Sequence, residues 1–580
     1  MHRNTTHCIV NEVTIRIICR VIQCGLSCRV PGRHDRCHNS FKQRDLCLDA
    51  LTTASQLRGG ADETDHNARA HQYRCRYSSL LMGKKFKQLK ERLGEIADLG
   101  HATAVLGWDQ ETYMPNGAAH GRSEQLGTLS KLTHEMFVAP ATLKLLKDAA
   151  TVPEVLKRGT SAAIVRQTTE DYRRARKLPA DFVAEISRTA SQAQHAWMDA
   201  RKKSDFKLFA SWLKKNVVIA QRTAEYLGYT EHPYDALLDQ YEPGMKTSEV
   251  HSIFADLRTK TVPLIRAVAA RADRVGDTAI HQHFDKGAQE RFGRLAAERV
   301  GYDFNRGRVD YTTHPFCTTF GIDDVRITTR IDEEFFNPYL FGMLHEVGHA
   351  LYEQGVDRAY DRTPLASGAS LGLHESQSRM WENLVGRGRE FWQFMWPDFV
   401  QHFPQMNDVG IDAFYDAINK VVPSFIRVEA DELTYNMHIM VRFEMEVAMV
   451  EGGLKVKDIP EVWNQKYHDY LGITPPTAAL GCLQDTHWAG TGIGYFSTYS
   501  LGNIISAQLF QTAEKDIPNL RTGFATGQFK PLLDWLRKHV HQHGRRYKPQ
   551  ELVKRVTGST IDATAYIAYL TAKYSDIYGL

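Results

Sequence analysis

Residues 337–355 read Asn337-Pro338-Tyr339-Leu340-Phe341-Gly342-Met343-Leu344-His345-Glu346-Val347-Gly348-His349-Ala350-Leu351-Tyr352-Glu353-Gln354-Gly355. His345 and His349 stand four apart, so on a helix both imidazoles share one face and can reach a single ion. Neutral imidazoles suit Zn²⁺, and Glu346, beside the first histidine, is placed to take a proton from water held by that ion. The chelate requires a helix, and the flanks predict one. Asn337 offers an N-cap, Pro338 the favoured first-turn proline and Gly355 the stop. Leu340, Phe341, Leu344 and Leu351 recur at helical spacing and give this helix apolar faces to bury.

A catalytic zinc normally takes three protein ligands and leaves a position for water, so a third donor must come from elsewhere. Glu353, Glu375 and Glu382 are the acidic candidates nearby. Glu353 shares the helix but is turned about 40° from His349, on the far side of it from His345, and is poorly placed to close a tripod. Glu375 opens a new helical run, Glu375–Val385, after the glycine-containing turn from Ser367-Gly368 to Gly372, and can approach from a neighbouring helix. The sequence therefore points to His345, His349 and Glu375 as the metal set.

Phe316 to Ile331 holds Thr318, Thr319, Val325, Ile327, Thr328 and Thr329, a density of β-branched residues that predicts a short hairpin or small sheet just ahead of the motif. Elsewhere the pattern is helical. Ser161 to Gly228 reads as long helices broken once, at Leu178-Pro179, and ended near Leu227-Gly228. Phe86, Leu89, Leu93, Ile96 and Leu99 recur at three and four. Long segments with few prolines predict a mainly α architecture.

The 580 residues are 43% hydrophobic and 24% charged, and a net charge of +4 is too small to point to nucleic acid as a partner. No uncharged apolar run is long enough for a membrane span. Seven of the nine cysteines (Cys8, Cys19, Cys24, Cys28, Cys37, Cys47 and Cys75) fall in the first 75 residues, leaving Cys317 and Cys482, so the main body is not built on disulfides and fits a reducing compartment. Residues 1–46 carry eight Lys/Arg against Glu12, Asp35 and Asp45, but Arg16 and Arg20 interrupt the apolar run Val13 to Ile22, which excludes a secretory core. The reading is a cytoplasmic protein, with mitochondrial delivery by the basic leader left open. Composition changes near Met82, giving an extension over residues 1–81, disordered or a targeting or misassigned start, and a helical domain over 82–580. Cys19, Cys24, Cys28, His34 and Cys37 lack the paired C-x-x-C spacing of a zinc knuckle.

From Lys84 to Leu580 the sequence resembles the thermostable carboxypeptidase (carboxypeptidase Taq) family of metallocarboxypeptidases. Seven ordered motifs carry the resemblance: Trp108-Asp109-Gln110 through Met114-Pro115, His314-Pro315-Phe316, Asp324-Val325-Arg326-Ile327-Thr328, the H-E-x-x-H, His374-Glu375-Ser376-Gln377-Ser378-Arg379, Ile426-Arg427 through Ala430-Asp431, and Gly481 through Gln484-Asp485 to His487-Trp488. The resemblance implies His345, His349 and Glu375 as metal ligands and Glu346 as general base. It also implies zinc, with cobalt as a substitute, and a homodimer. The implied fold is a large helical one like that of angiotensin-converting enzyme and neurolysin, two halves flanking a long groove with a small sheet near the zinc site. Two departures stand out. The family lacks the first 80 residues, and Ser497 stands where proline is expected, which predicts a shifted loop.

Peptide hydrolysis also needs donors for the oxyanion, and His487 and Tyr495 in a glycine-rich stretch match a histidine and a tyrosine that serve this role in angiotensin-converting enzyme. Removing one C-terminal residue needs a fixed cation for the terminal carboxylate, preferably a forked guanidinium. Arg427 is the first choice. Arg326 is the alternative, or else a partner of Asp324 or Asp323. His314, ahead of the small sheet, is expected to line the groove, where a strand edge could hold the substrate backbone. The expected function is release of single C-terminal residues from peptides with broad specificity; the alternative is an oligopeptidase or dipeptidase using the same groove.

Overall fold

In the computed structural model, which describes residues 63–157 and 159–580, helices carry the chain nearly throughout and three short strands interrupt them. The site lies in one unit, Leu80–Leu580. Cys19, Cys24, Cys28, His34 and Cys37, with most of the 1–81 extension, lie outside the described residues. The helices used below are α1 (Glu63–Thr112), α2 (Thr160–Ala175), α3 (Ala180–Lys203), α4 (Lys207–Leu227), α5 (Pro233–Leu238), α6 (Asn337–Gln354), α7 (Leu371–Arg379), α8 (Tyr435–Glu451) and α9 (Ser497–Asp516).

Leu89 and Leu93 from the α1 stripe enter a small core with Leu146, Ile164 and Tyr172. The segment from Ser161 to Gly228 breaks twice rather than once. Beyond the gap at Leu178-Pro179, Ser204 turns into the left-handed region (φ 52°), the Asp205 N–H returns to the Ala200 carbonyl, and the Asp205 carboxylate accepts from the Lys207 N–H as α4 begins. A serine in that conformation leaves no glycine or proline in the sequence to announce the break.

The strands β1 (Val309–Tyr311), β2 (Cys317–Thr319) and β3 (Val325–Thr329) form one sheet in the order β1-β3-β2. β2 and β3 are the expected hairpin, antiparallel with Cys317 opposite Ile327. β1 joins β3 in parallel, with Val309 opposite Ile327, and was not legible in so short a segment. Val325 and Ile327 are fully buried in the main core, beside the strand-facing side of α6.

α6 is the helix the opening stretch predicts, and it stops at Gly355. Asn337, however, is not its cap: Phe336 holds that position, no side chain caps the helix, and Asn337 Oδ1 is buried without a partner. Packing sets this end instead. Phe336 lies among Phe284, Phe292, Trp392, Phe399, Phe403 and Phe414. Leu340, Phe341, Leu344 and Leu351 are at most 1% exposed. Each contributes about 2 kcal/mol of transfer free energy, against about 1 kcal/mol for a missing cap. Gly348 lets α6 and α7 meet closely, because a Cβ there would lie 2.5 Å from the Gln377 carbonyl oxygen and the Ser378 Cα.

Candidate metal centre

α7 starts at Leu371, earlier than the Glu375 expected, because Ser370 caps it by accepting from the Leu373 N–H at 3.1 Å. It then widens into a π-helical stretch, Met380–Gly386. The close packing of α7 on α6 brings Glu375 to the two histidines. His345 Nε2 lies 3.6 Å and His349 Nε2 3.5 Å from Glu375 Oε2, and ligand atoms of the three residues fall within 4.8 Å of one another. Gly502 on α9 closes the other side: a Cβ there would lie 2.5 Å from Glu375 Cβ and Cγ.

The far nitrogens of both imidazoles are held. His345 Nδ1 lies 2.9 Å from Glu382 Oε2, a carboxylate delivered by the π-helical widening. His349 Nδ1 lies 2.7 Å from His374 Nδ1, whose Nε2 is 2.7 Å from Glu353 Oε1. With Nδ1 of each of the two histidines carrying the proton, both Nε2 lone pairs face Glu375. Glu353, displaced around the helix from the face that carries the two histidines, thus supports His349 through His374, and Glu382 supports His345 directly. Neither role was read from the sequence, although the spacing of Glu375, Arg379 and Glu382 on one helical face was available as a signal. Arg379 Nε donates to Glu375 Oε1 at 2.7 Å and its NH1 to Glu382 Oε2 at 3.2 Å.

The electrostatics fit a divalent cation. Glu375 and Glu382 meet Arg379, and Arg387 lies 3.8 Å from Glu382, whereas Glu346 and Glu353, also buried, pair with no lysine or arginine among the described residues, so carboxylates outnumber guanidiniums in a largely buried space. Against the opposing effect of burial, Arg379 and the imidazoles hold Glu375 well below the usual carboxylate range, and Arg379 with His345 lowers Glu382 to about 2. Burial pushes Glu346 up to about 7 and pulls His349 down to about 4. Two neutral imidazole nitrogens and one carboxylate oxygen are a donor set suited to zinc.

A second cluster gathers Arg427, His487 and Tyr495. Arg427 is 6% exposed; its Nε and NH2 donate to Asp485 Oδ1 at 3.0 and 2.9 Å and its NH1 to the Tyr435 hydroxyl at 3.1 Å. Arg442 Nε donates to the other Asp485 oxygen at 2.6 Å, so two guanidiniums share one carboxylate. The His487 ring lies 5.5 Å from that of Tyr495, and burial pulls its pKa down to about 4, leaving the imidazole neutral near pH 7. Tyr499, whose role was not read from the sequence, packs 5.3 Å from Tyr495 and 5.0 Å from the Arg427 guanidinium. Tyr435 joins the two clusters, since Arg379 lies 4.4 Å over its ring while its hydroxyl accepts from Arg427.

Arg326 and His314 stand apart from the metal trio, with no hydrogen bond to it or to Glu346 among the described residues. Arg326 makes two 2.8 Å bonds to Asp324 and lies 4.7 Å over Trp108 and 4.8 Å over Phe320. His314 is exposed and lies between β1 and β2, not ahead of the sheet as expected, because the unforeseen β1 precedes it. Ser497, for which a shifted loop was expected, stands at a helix start. It is the first residue of α9, where a proline would also fit because the N–H needs no helical partner.

A model of the carboxypeptidase Taq (M32) metallopeptidases matches residues 88–574. The sequence is 41% identical over 505 residues to thermostable carboxypeptidase 1 of Thermus thermophilus, covering 85% of this chain and 99% of that protein. It is 40% identical over 493 residues to carboxypeptidase 1 of Bacillus subtilis, covering 85% and 98%. The crystal structure of M32 carboxypeptidase from Deinococcus radiodurans R1 superposes with a TM-score of 0.83 at 41% identity, covering 86% of this chain and 100% of that one.

Proposed function

The chain belongs to the carboxypeptidase Taq (M32) family of metallopeptidases and is a peptide-hydrolysing carboxypeptidase, and from that premise we propose that its ion is zinc, held by His345, His349 and Glu375, with Glu346 as general base. The oligopeptidase alternative is not favoured, since the relatives carry carboxypeptidase names. The observation that carries the residue assignment is the convergence of two imidazole Nε2 atoms on Glu375 with both Nδ1 atoms held from behind.

When bound, the ion polarises the scissile carbonyl and lowers the pKa of water beside it. Glu346 accepts the proton of the attacking water and delivers it to the leaving amine. The Tyr495 hydroxyl and the neutral His487 imidazole donate to the oxyanion as it forms. Arg427 binds the terminal carboxylate of the substrate. What supports this is charge: Arg427 and Arg442 exceed Asp485 by one positive charge in a buried cluster, whereas Arg326 is already matched by Asp324. His314 lines the approach to β2, the edge strand beside α6. Residues 82–580 form the catalytic body, and 1–81 an extension outside it. A homodimer, broad specificity and a cytoplasmic setting belong to the same reading and rest on the family resemblance.

The deciding assay follows release of free C-terminal amino acids from blocked dipeptides by wild-type protein, by chelator-treated protein restored with zinc or cobalt, and by Glu346→Gln. Chelation should abolish activity and either ion restore it. Glu346→Gln should bind zinc yet lose about 10²- to 10⁴-fold in kcat. Activity surviving that substitution refutes the assignment.

A further inference from the structure

Glu446, on α8, takes no part in the chemistry above, yet it is fully buried and no lysine or arginine pairs with it among the described residues. Its carboxylate accepts three hydrogen bonds. Trp488 Nε1 donates to Oε1 at 2.8 Å, and the Tyr234 hydroxyl and the Gly494 N–H donate to Oε2 at 2.7 and 3.0 Å. Trp488 follows His487 and Gly494 precedes Tyr495, so one carboxylate grips both ends of the loop that carries the two oxyanion donors.

The rest of the loop is built around that grip. Asn216 Nδ2 donates to the Trp488 and Ala489 carbonyls at 2.7 and 3.0 Å, and the Gly492 N–H returns to the His487 carbonyl at 2.8 Å. Gly494 sits at φ 106°, where a Cβ would lie 2.9 Å from the Leu237 carbonyl carbon. Tyr234 and Leu237 both belong to α5. Just beyond α5, the Tyr241 ring packs edge-on 5.2 Å from Tyr495 while its carbonyl accepts from the Leu371 N–H, at the start of the helix that carries Glu375. Through Tyr234, then, Glu446 ties the donor loop to the same brace that seats the third metal ligand. A buried carboxylate without a salt-bridge partner is costly to keep, and its three donors only partly offset that cost.

We propose that Glu446 is a positioning residue: it fixes the placement of His487 and Tyr495 relative to the metal ligands, and so acts on the transition state through them. This rests on the reading of His487 and Tyr495 as oxyanion donors.

Zinc-loaded, full-length protein is compared as wild type, Glu446→Gln, Tyr234→Phe, Tyr495→Phe, His487→Gln and the Glu446→Gln/Tyr495→Phe pair, with zinc affinity and Tm measured for each. Tyr495→Phe should cost about 100-fold in kcat. Glu446→Gln should cost about 10- to 100-fold in kcat with KM and zinc affinity unchanged within about twofold, and the double variant should lose clearly less than the product of the two single losses, keeping only the part that acts through His487. Tyr234→Phe removes one of the three donors without opening the loop. It should lower kcat about 3- to 10-fold, and it carries the test should Glu446→Gln not fold. A kcat that falls in Tyr495→Phe but stays at the wild-type value in Glu446→Gln or Tyr234→Phe overturns the proposal. So do effects of Glu446→Gln and Tyr495→Phe that simply multiply, or zinc affinity lost in step with kcat. If both Tyr495→Phe and His487→Gln keep full kcat, the oxyanion reading itself fails, and the Glu446 proposal falls with it.

Discussion

His349 and His374 meet nitrogen to nitrogen, Nδ1 to Nδ1, at 2.7 Å. One must donate and the other accept. His374 spends its own proton at Nε2, donating to Glu353, so its Nδ1 is the acceptor and His349 Nδ1 carries the hydrogen. That fixes the tautomer whose Nε2 is free for a cation. His374→Phe keeps a ring but removes the acceptor, and zinc affinity should weaken about 10- to 100-fold in chelator competition. Glu353→Gln should act in the same direction, and the two changes together should cost less than their product because they break one relay. Unaltered zinc affinity in His374→Phe would remove the relay from the account.

Arg427 can be deleted without stranding its partner, since Asp485 keeps the Arg442 pair. Arg427→Ala should therefore fold. Its kcat/KM on peptides with a free terminal carboxylate should fall about 100-fold or more, a charge-assisted buried pair contributing about 3 kcal/mol. Activity on the matching amidated peptides, already low, should change by less than about threefold. An equal loss on both substrates would exclude Arg427 as the carboxylate site.

What was legible in the sequence was what spacing fixes locally. Two histidines four apart define a helical face, β-branched density defined β2 and β3, and a turn ahead of Glu375 placed it on a separate helix. What escaped depended on tertiary contact. β1 is three residues long and exists by pairing with β3. Asn337 lost its capping role because Phe336 packs into an aromatic cluster. Glu353 is on the wrong side of α6 for a ligand, and only the fold shows that His374 bridges that distance. Tyr435 likewise carries no signal as a single tyrosine, and becomes informative only between Arg379 and Arg427.

Gly502 is another residue whose meaning is wholly tertiary. Its missing Cβ leaves the space that Glu375 Cβ and Cγ occupy, and the Glu375 backbone carbon would lie only 3.1 Å from an added methyl. Neither a helix backbone nor a ligand stem can yield cheaply. Gly502→Ala should weaken zinc binding by at least about tenfold and cost about 1–3 kcal/mol of stability from overpacking. Thermal unfolding and chelator competition on the same preparation would read both. A variant that keeps wild-type zinc affinity would show that α9 does not hold Glu375 in place.

Glu242 offers a pH signature separable from catalysis. It is fully buried against the start of α7, where its Oε1 accepts from the Gly372 N–H while its Oε2 has no partner. Burial pushes its pKa from 4.5 up to about 7. Because the folded value exceeds the unfolded one, the native state holds this proton more tightly. The contribution to stability is fully present below about pH 4.5 and is lost as pH rises through about 7. At about 1.4 kcal/mol per pKa unit the loss approaches about 3 kcal/mol by pH 8. Glu242→Gln keeps the acceptor for Gly372 and cannot ionise. In chelator-treated protein, where metal-linked protons do not enter, its Tm should match wild type near pH 5 and exceed it by about 3 °C at pH 8. A difference between the two proteins that does not change with pH would mean that Glu242 is not the titrating group.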